Sequence, residues 1–306
     1  DTKDLMINQI PFSFYPEQAE SALEGGAHIC KYLDFSISDK TDQQTFWQYL
    51  GYCMTTDTRF QKFLMIKGKG GTGKSIAISF IQHIVGSGNY SSMSLQNLNQ
   101  RFYPTGLFGK LLNACADIPS TAMESVDIIK KAVGEDTLLY EKKGQDPFEF
   151  NNYSKFIFSA NQIPRIKDRT GAVQRRLIII PFNANFNKDD PDFDPYIKHK
   201  LLKKSSLEYL IRLGIEGLKR VLKYKSFTKS EKVQKELDEY EKNNNPILLF
   251  FDEVNKEEII NESVPDVYRM YTVFCSENNF SPFSKIEFGR NISSYYGLVN
   301  KAKRIN

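Results

Sequence analysis

The segment Gly68-Lys69-Gly70-Gly71-Thr72-Gly73-Lys74-Ser75 matches G-x-x-x-x-G-K-[ST] in full. Glycines let successive backbone N–H groups turn inward around an anion. A helix beginning near Ser75 would point its positive end at bound phosphates. In that chemistry Gly68, Gly70, Gly71, Thr72 and Gly73 form the cradle. Lys74 reaches the outer phosphates of ATP, and the Ser75 hydroxyl ligates Mg²⁺. The motif identifies a nucleoside triphosphate and is silent on what its hydrolysis drives. A second metal ligand is expected after a buried strand, and Asp117 follows the apolar run 111–116. It would hold Mg²⁺, directly or through water, and help orient the attacking water.

The elements needed to hold these groups are legible. Phe63-Leu64-Met65-Ile66 is a short apolar run ending in glycines, the pattern of a strand buried on both faces. Ile76 to Val85 reads as a helix. Further buried strands are predicted at Leu111–Ala116, Phe156–Ala160 and Leu177–Pro181. Strands alternating with helical stretches imply an α/β core with a mostly parallel sheet. Residues 1–55 read as a helical lead-in, with a helix start at Pro16-Glu17-Gln18-Ala19-Glu20 and an apolar stripe of Phe46, Trp47, Leu50 and Met54. Residues 56–190 make the core. The polar stretch Asn183–Pro195 reads as a connector. Residues 191–245 are predicted as that connector and a helical lid, with helix from 196 to about 242. Glu241-Lys242-Asn243-Asn244-Asn245-Pro246 reads as a linker, and residues 246–306 as a small unit of two or three helices.

Composition adds bounds. The chain has 306 residues, 41% of them hydrophobic, so two or three folded units are expected rather than disorder. A net charge of +4 does not by itself declare a nucleic-acid partner. Cys30, Cys53, Cys115 and Cys275 form no C-x-x-C pair, and none of the three histidines flanks them, which disfavours a zinc site and fits a reducing cytoplasm. No apolar run approaches membrane-spanning length. The opening Asp1-Thr2-Lys3-Asp4 is not a signal peptide, and without an initiator Met it reads as a piece of a longer protein.

Five ordered segments resemble one family, the superfamily 3 helicases, and among them the primase-helicases of phages, plasmids, poxviruses and staphylococcal pathogenicity islands. After the glycine-rich loop comes Tyr103-Pro104-Thr105-Gly106-Leu107-Phe108-Gly109-Lys110-Leu111-Leu112, similar to the family's entry into its Walker B strand. Asp127 to Asp136, with Lys130, Lys131 and Gly134, resembles a second segment. Leu138-Leu139-Tyr140-Glu141-Lys142-Lys143-Gly144 resembles the hairpin that family members push into a central channel. Phe158-Ser159-Ala160-Asn161-Gln162-Ile163-Pro164 looks like motif C, and Gln174-Arg175-Arg176-Leu177-Ile178-Ile179-Ile180-Pro181-Phe182 like the arginine-finger segment. Fainter similarity reaches Ile7-Asn8-Gln9-Ile10-Pro11.

The resemblance implies an AAA+ core and a hexameric DNA helicase of a mobile element or virus, moving 3′→5′ on one strand. It implies a sensor role for Asn161 and a trans-acting guanidinium at Arg176, with Arg175 second. Lys143, then Lys142, would contact DNA phosphates. One departure stands out: many members carry two adjacent Walker B acids, and here position 116 is Ala, leaving open which group activates water. The tail from Val264 resembles a winged helix, with Ser284 and Glu287 forming a capping box on its recognition helix. That helix and the basic Lys301-Ala302-Lys303-Arg304 are candidates for contact with duplex origin DNA. Two other readings fit the residues less fully: an ATP-switched origin-binding initiator without unwinding, and a small-molecule phosphotransferase.

Overall fold

The computed structural model describes residues 8–12, 22–121, 127–166, 171–184, 194–260 and 262–297. The chain divides into two units, Asp1–Leu237 and Asp238–Asn306. Among its described residues the lead-in carries α1 (Ala22–Ser36) and α2 (Lys40–Cys53). The helix start read at 16–20 lies outside the described residues, as does the basic segment 301–304.

The core sheet has five strands: β1 (Phe63–Lys67), β2 (Tyr90–Ser91), β3 (Leu112–Cys115), β6 (Lys155–Ala160) and β7 (Leu177–Pro181). Their order is β2-β3-β6-β1-β7, and every neighbouring pair is parallel. Helix α3 (Lys74–Val85) follows β1, and a short α4 (Leu95–Leu98) precedes β3. Between β3 and β6 the chain inserts α5 (Asp127–Val133) and an antiparallel hairpin of β4 (Thr137–Tyr140) and β5 (Phe148–Asn151). All four predicted core strands are present. Their apolar runs are explained by burial on both faces: Leu64, Met65 and Ile66 are fully enclosed, as are Phe156, Ile157 and Phe158. Because β1 lies between β6 and β7 while β2 sits at the far edge, the chain switches direction beside β1. In open α/β sheets that crevice, at the carboxyl ends of the strands, is where ligands sit.

The region read as helical from 196 to about 242 forms three helices: α6 (Ile197–Leu201), α7 (Lys204–Tyr224) and α8 (Glu231–Asn244). The second break has a clear cause. Lys225 adopts φ +55°, and buried Phe227 joins the rings of Tyr49, Tyr52 and Phe60. The Gln48 amide then clasps Thr228, donating to its hydroxyl at 2.6 Å and accepting its N–H at 2.8 Å. Helix α7 packs on α2 through glycines: a Cβ at Gly51 would lie 2.0 Å from the Gly214 carbonyl, and one at Gly217 would lie 2.6 Å from the Trp47 backbone. Only glycine permits so close a helix contact.

The second unit holds the end of α8, then α9 (Pro246–Glu253), α10 (Lys256–Ile259), α11 (Val264–Glu277) and α12 (Lys285–Tyr296). Four helices follow residue 245 among the described residues, where two or three were expected. The predicted linker 241–246 is also helical up to Asn244, because Asn245 caps α9 by accepting the Ile247 N–H and Pro246 opens that helix. Ile247, Phe250, Tyr271, Phe274 and Phe288 form its core. Ser284 and Glu287 make the expected capping box on α12. No strand occurs among the described residues of this unit, so a wing is not among them. No described helix is long and apolar enough to cross a membrane.

Candidate functional site

The glycine-rich loop leaves β1 at Lys67 and ends where α3 begins at Lys74. Gly71 and Gly73 have φ +79° and +88°, values that side chains resist, and a Cβ at Gly68 would lie 2.3 Å from the Phe182 carbonyl. Lys74 is 4% exposed, and its ammonium donates to the carbonyls of Gly68 and Lys69 at 2.7 Å and to Asn161 Oδ1 at 3.1 Å. Burial lowers its pKa, and the nearby Asp117 carboxylate partly offsets that fall.

Register explains the convergence. Lys67 pairs with both Ala160 and Pro181, and Cys115 pairs with Phe158. The residues just beyond these strands therefore share one level, which brings Asp117 and Asn161 beside the loop. Asp117 adopts φ +51°, unusual outside glycine. Its N–H donates to Ser159 Oγ at 3.0 Å, and the next N–H, of Ile118, donates to the Ser159 carbonyl at 2.8 Å. Fully buried Ser159 thus fixes the backbone that presents the carboxylate.

A cavity of about 680 Å³ opens over this edge. Gly70, Gly71, Thr72, Gly73, Lys74, Ser75, Asp117 and Asn161 line it, so the structure brings together the predicted phosphate and metal groups of the loop and both strand-end residues. Gly68 lies beneath, as a carbonyl partner of Lys74. The remaining wall was not anticipated: Tyr32 and Phe35 from α1, with Asp194, Ile197 and Lys198 at the start of α6. Tyr32 is enclosed and donates its hydroxyl to the Gly73 carbonyl at 2.6 Å, and burial drives its pKa far up. These residues carry no motif. Only the apolar spacing of α1 could have flagged Tyr32, and nothing local ties α6 to the loop. The other acid on the wall, Asp194, accepts the Tyr196 N–H at 2.9 Å and the Lys200 ammonium at 2.6 Å, so both oxygens serve the start of α6.

The two arginines are elsewhere. Leu177 pairs with Phe63, so Arg175 and Arg176 sit at the amino end of the sheet. The strand between that end and the loop is about 13 Å long at 3.3 Å per residue. Arg176, the preferred trans-acting group in the sequence reading, is 9% exposed. It donates to the Ala172 carbonyl at 2.9 Å and packs on Gly134, where a Cβ would lie 3.0 Å from its Nη2. Arg175 is exposed. Of the two, Arg175 is the one at the surface, where a group that reaches another molecule must lie.

Lys142 and Lys143 lie in the connection between β4 and β5, and both are exposed. The Gln145 N–H donates to the Lys142 carbonyl at 3.2 Å, and Gly144 at the third position of this turn has φ +78°. A turn tip lifts the alternation of strand faces, so the two lysines are not forced to opposite sides.

The sheet, its order and the site at its carboxyl edge are consistent with an α/β nucleotide-binding fold. Residues 66–176 match the family described as "Family of unknown function (DUF5906)", and residues 242–304 match the one described as "Poxvirus D5 protein-like". A protein of Acanthamoeba polyphaga mimivirus named as a helicase, L207/L206, is 25% identical over 158 residues, 49% of this chain and 16% of that protein. Apo structures of the C-terminal region of NrS-1 are similar in fold over 98% of this chain and 75% of theirs, at 17% identity with a TM-score of 0.58 and at 18% with a TM-score of 0.53. These likenesses tie parts of the chain to a poxvirus D5-like family and to a viral protein named as a helicase, and the solved structures share its fold.

Proposed function

We propose that this chain is the motor of a replicative DNA helicase, a superfamily 3 ATPase that hydrolyses ATP between subunits of a ring, the hexamer and 3′→5′ direction being those of the family it resembles. The observation that carries the reading is the convergence of Lys74, Ser75, Asp117 and Asn161 on one cavity while Arg175 stands at the opposite edge of the sheet. Lys74 gives up its loop carbonyls to the outer phosphates, and the loop amides hold the inner ones. Asn161 holds a water in line with the outer phosphate. Asp117, the acid retained beside Ala116, helps orient that water.

The donor set suits Mg²⁺. The Ser75 hydroxyl and Asp117 carboxylate both line the cavity, and this ion keeps waters and phosphate oxygens as its other ligands. When bound it neutralises charge on the phosphates. No group of three or more His, Cys, Asp or Glu side chains forms an all-protein cage among the described residues.

Arg175 cannot serve the nucleotide of its own chain, because the strand length separates them. It completes a neighbour's site instead, where a guanidinium meets charge building on the phosphoryl oxygens. Complementation in mixtures tests this. Lys74→Ala and Arg175→Ala are each inactive alone, by about 100-fold or more. Mixed, they regain hydrolysis, because one variant supplies an intact pocket and the other an intact arginine. No recovery from a mixture shown by sizing to co-assemble would sink the composite site. Arg176→Ala should lower the melting temperature, since it removes a buried packing and hydrogen-bonding group, whereas Arg175→Ala should not.

A further inference from the structure

Exposed aromatic rings concentrate on one part of the first unit. Phe148 is 44% exposed and Phe108 48%, with Phe102 at 43% and Tyr103 at 40% close by in sequence to Phe108. Tyr140 and Phe148 are direct cross-strand partners near the hairpin tip, with ring centroids 4.4 Å apart and planes within 19°. Phe108 meets both edge-on, at 5.3 and 5.4 Å. Two register steps further from the tip, on the same face, Leu138 and Phe150 are already buried and anchor the hairpin. The outer pair is therefore not needed to close a core.

The patch is held rigidly. Thr105 donates its hydroxyl to the Glu141 carbonyl and accepts the Glu141 N–H, each at 2.9 Å, and Arg101 pairs with the Glu141 carboxylate. Cations border it: the Lys142 ammonium lies 5.4 Å from the Tyr140 ring, and the Arg101 guanidinium 4.9 Å from that of Phe102. Glu149 is on the hairpin's other face, paired with Leu139. Pre-ordered aromatic faces beside cations are what single-stranded nucleic acid binds without reading sequence, because every base has a π face. A second copy of the chain would be met better by aliphatic side chains free of flanking charge.

We infer that Phe148 and Phe108 form a base-stacking platform for single-stranded nucleic acid, with Lys142 and Lys143 taking the adjoining phosphates. This rests on the DNA-motor reading and adds a contact to the base rather than the backbone.

The test compares binding of the full chain to an oligothymidylate and to an abasic strand of equal length. Wild type should favour the strand with bases by roughly 5- to 150-fold per stacked base. Phe148→Leu and Phe108→Leu, which keep apolar bulk without a ring, should erase most of that preference, and Phe148→Tyr should retain it. Lys143→Ala should weaken both strands alike and reduce the salt slope by about 0.7 per lost phosphate contact. An unchanged preference in both leucine variants would overturn the platform. So would a change in oligomeric state on sizing with the preference intact, which would assign the face to a second copy. If wild type binds neither strand, the motor reading falls first, and the leucine variants are not needed to see it.

Discussion

Lys74 at the carboxyl end of the sheet and Lys155 at its amino end are both buried lysines held by backbone carbonyls. Lys74 is 4% exposed, bonds carbonyls of its own loop and lines the cavity. Lys155 is 2% exposed and donates to Thr55 and Tyr153 at 2.8 and 2.6 Å, its ammonium 4.7 Å from the Tyr52 ring and close to Cys53. Burial pushes Lys155 down to about 8. The contrast shows that burial of a charge does not mark a site. Lys74 can exchange carbonyls within one glycine-rich loop for a phosphate. Lys155 ties together two chain segments and has no ligand to exchange for.

Lys74→Met should sharpen this contrast most. Hydrolysis should fall by about 100-fold or more, while the circular dichroism spectrum stays that of wild type. Phosphate release within a few-fold of wild type would erase the distinction between the two ends.

Lys155→Met tests the other end through pH. The folded-state pKa of Lys155 is depressed below the unfolded value of 10.5, so between about 8 and 10.5 the unfolded chain holds the extra proton. Stability from this group is therefore complete above 10.5 and lost as pH falls towards 8. Cys53, pushed up to about 12, and the raised tyrosines Tyr49 and Tyr52 act in the opposite direction as pH rises. Subtracting denaturant unfolding curves of Lys155→Met from those of wild type cancels them. The wild-type advantage should grow by roughly 2–3 kcal/mol from pH 8 to 10. A flat difference would mean that Lys155 is not buried as described.

Tyr32→Phe is the gentlest probe. It deletes one hydrogen bond to the loop, worth about 1 kcal/mol, so KM for ATP should rise about fivefold. The Tyr32–Phe80 edge contact at 5.9 Å should survive. An unaltered KM would make the Tyr32 hydroxyl a bystander in positioning the loop.

Much of this was open to a reading of residues alone. The loop 68–75 declares itself because phosphate binding demands glycine at fixed offsets, and the four core strands because burial on both faces demands unbroken apolar runs. The capping box at Ser284 and Glu287 was legible for the same local reason. The break at residues 225–230 was not, since Phe227 leaves the helix to join aromatic rings from distant segments. Nor was the exposure of Arg175 over Arg176. Adjacent identical residues differ only in what the fold packs against them, and Gly134, 42 positions earlier, decides it.

Sequence by itself determined which groups could do chemistry, where the strands run and which turn needs a glycine, because each follows from contacts within a few residues. Tertiary structure alone decided that α1 and α6 wall the cavity, that Ser159 sets the Asp117 backbone, and that aromatic rings gather at the hairpin. Those outcomes come from parallel register and from helices packing across long separations. Neither leaves a periodicity or a spacing in the chain itself.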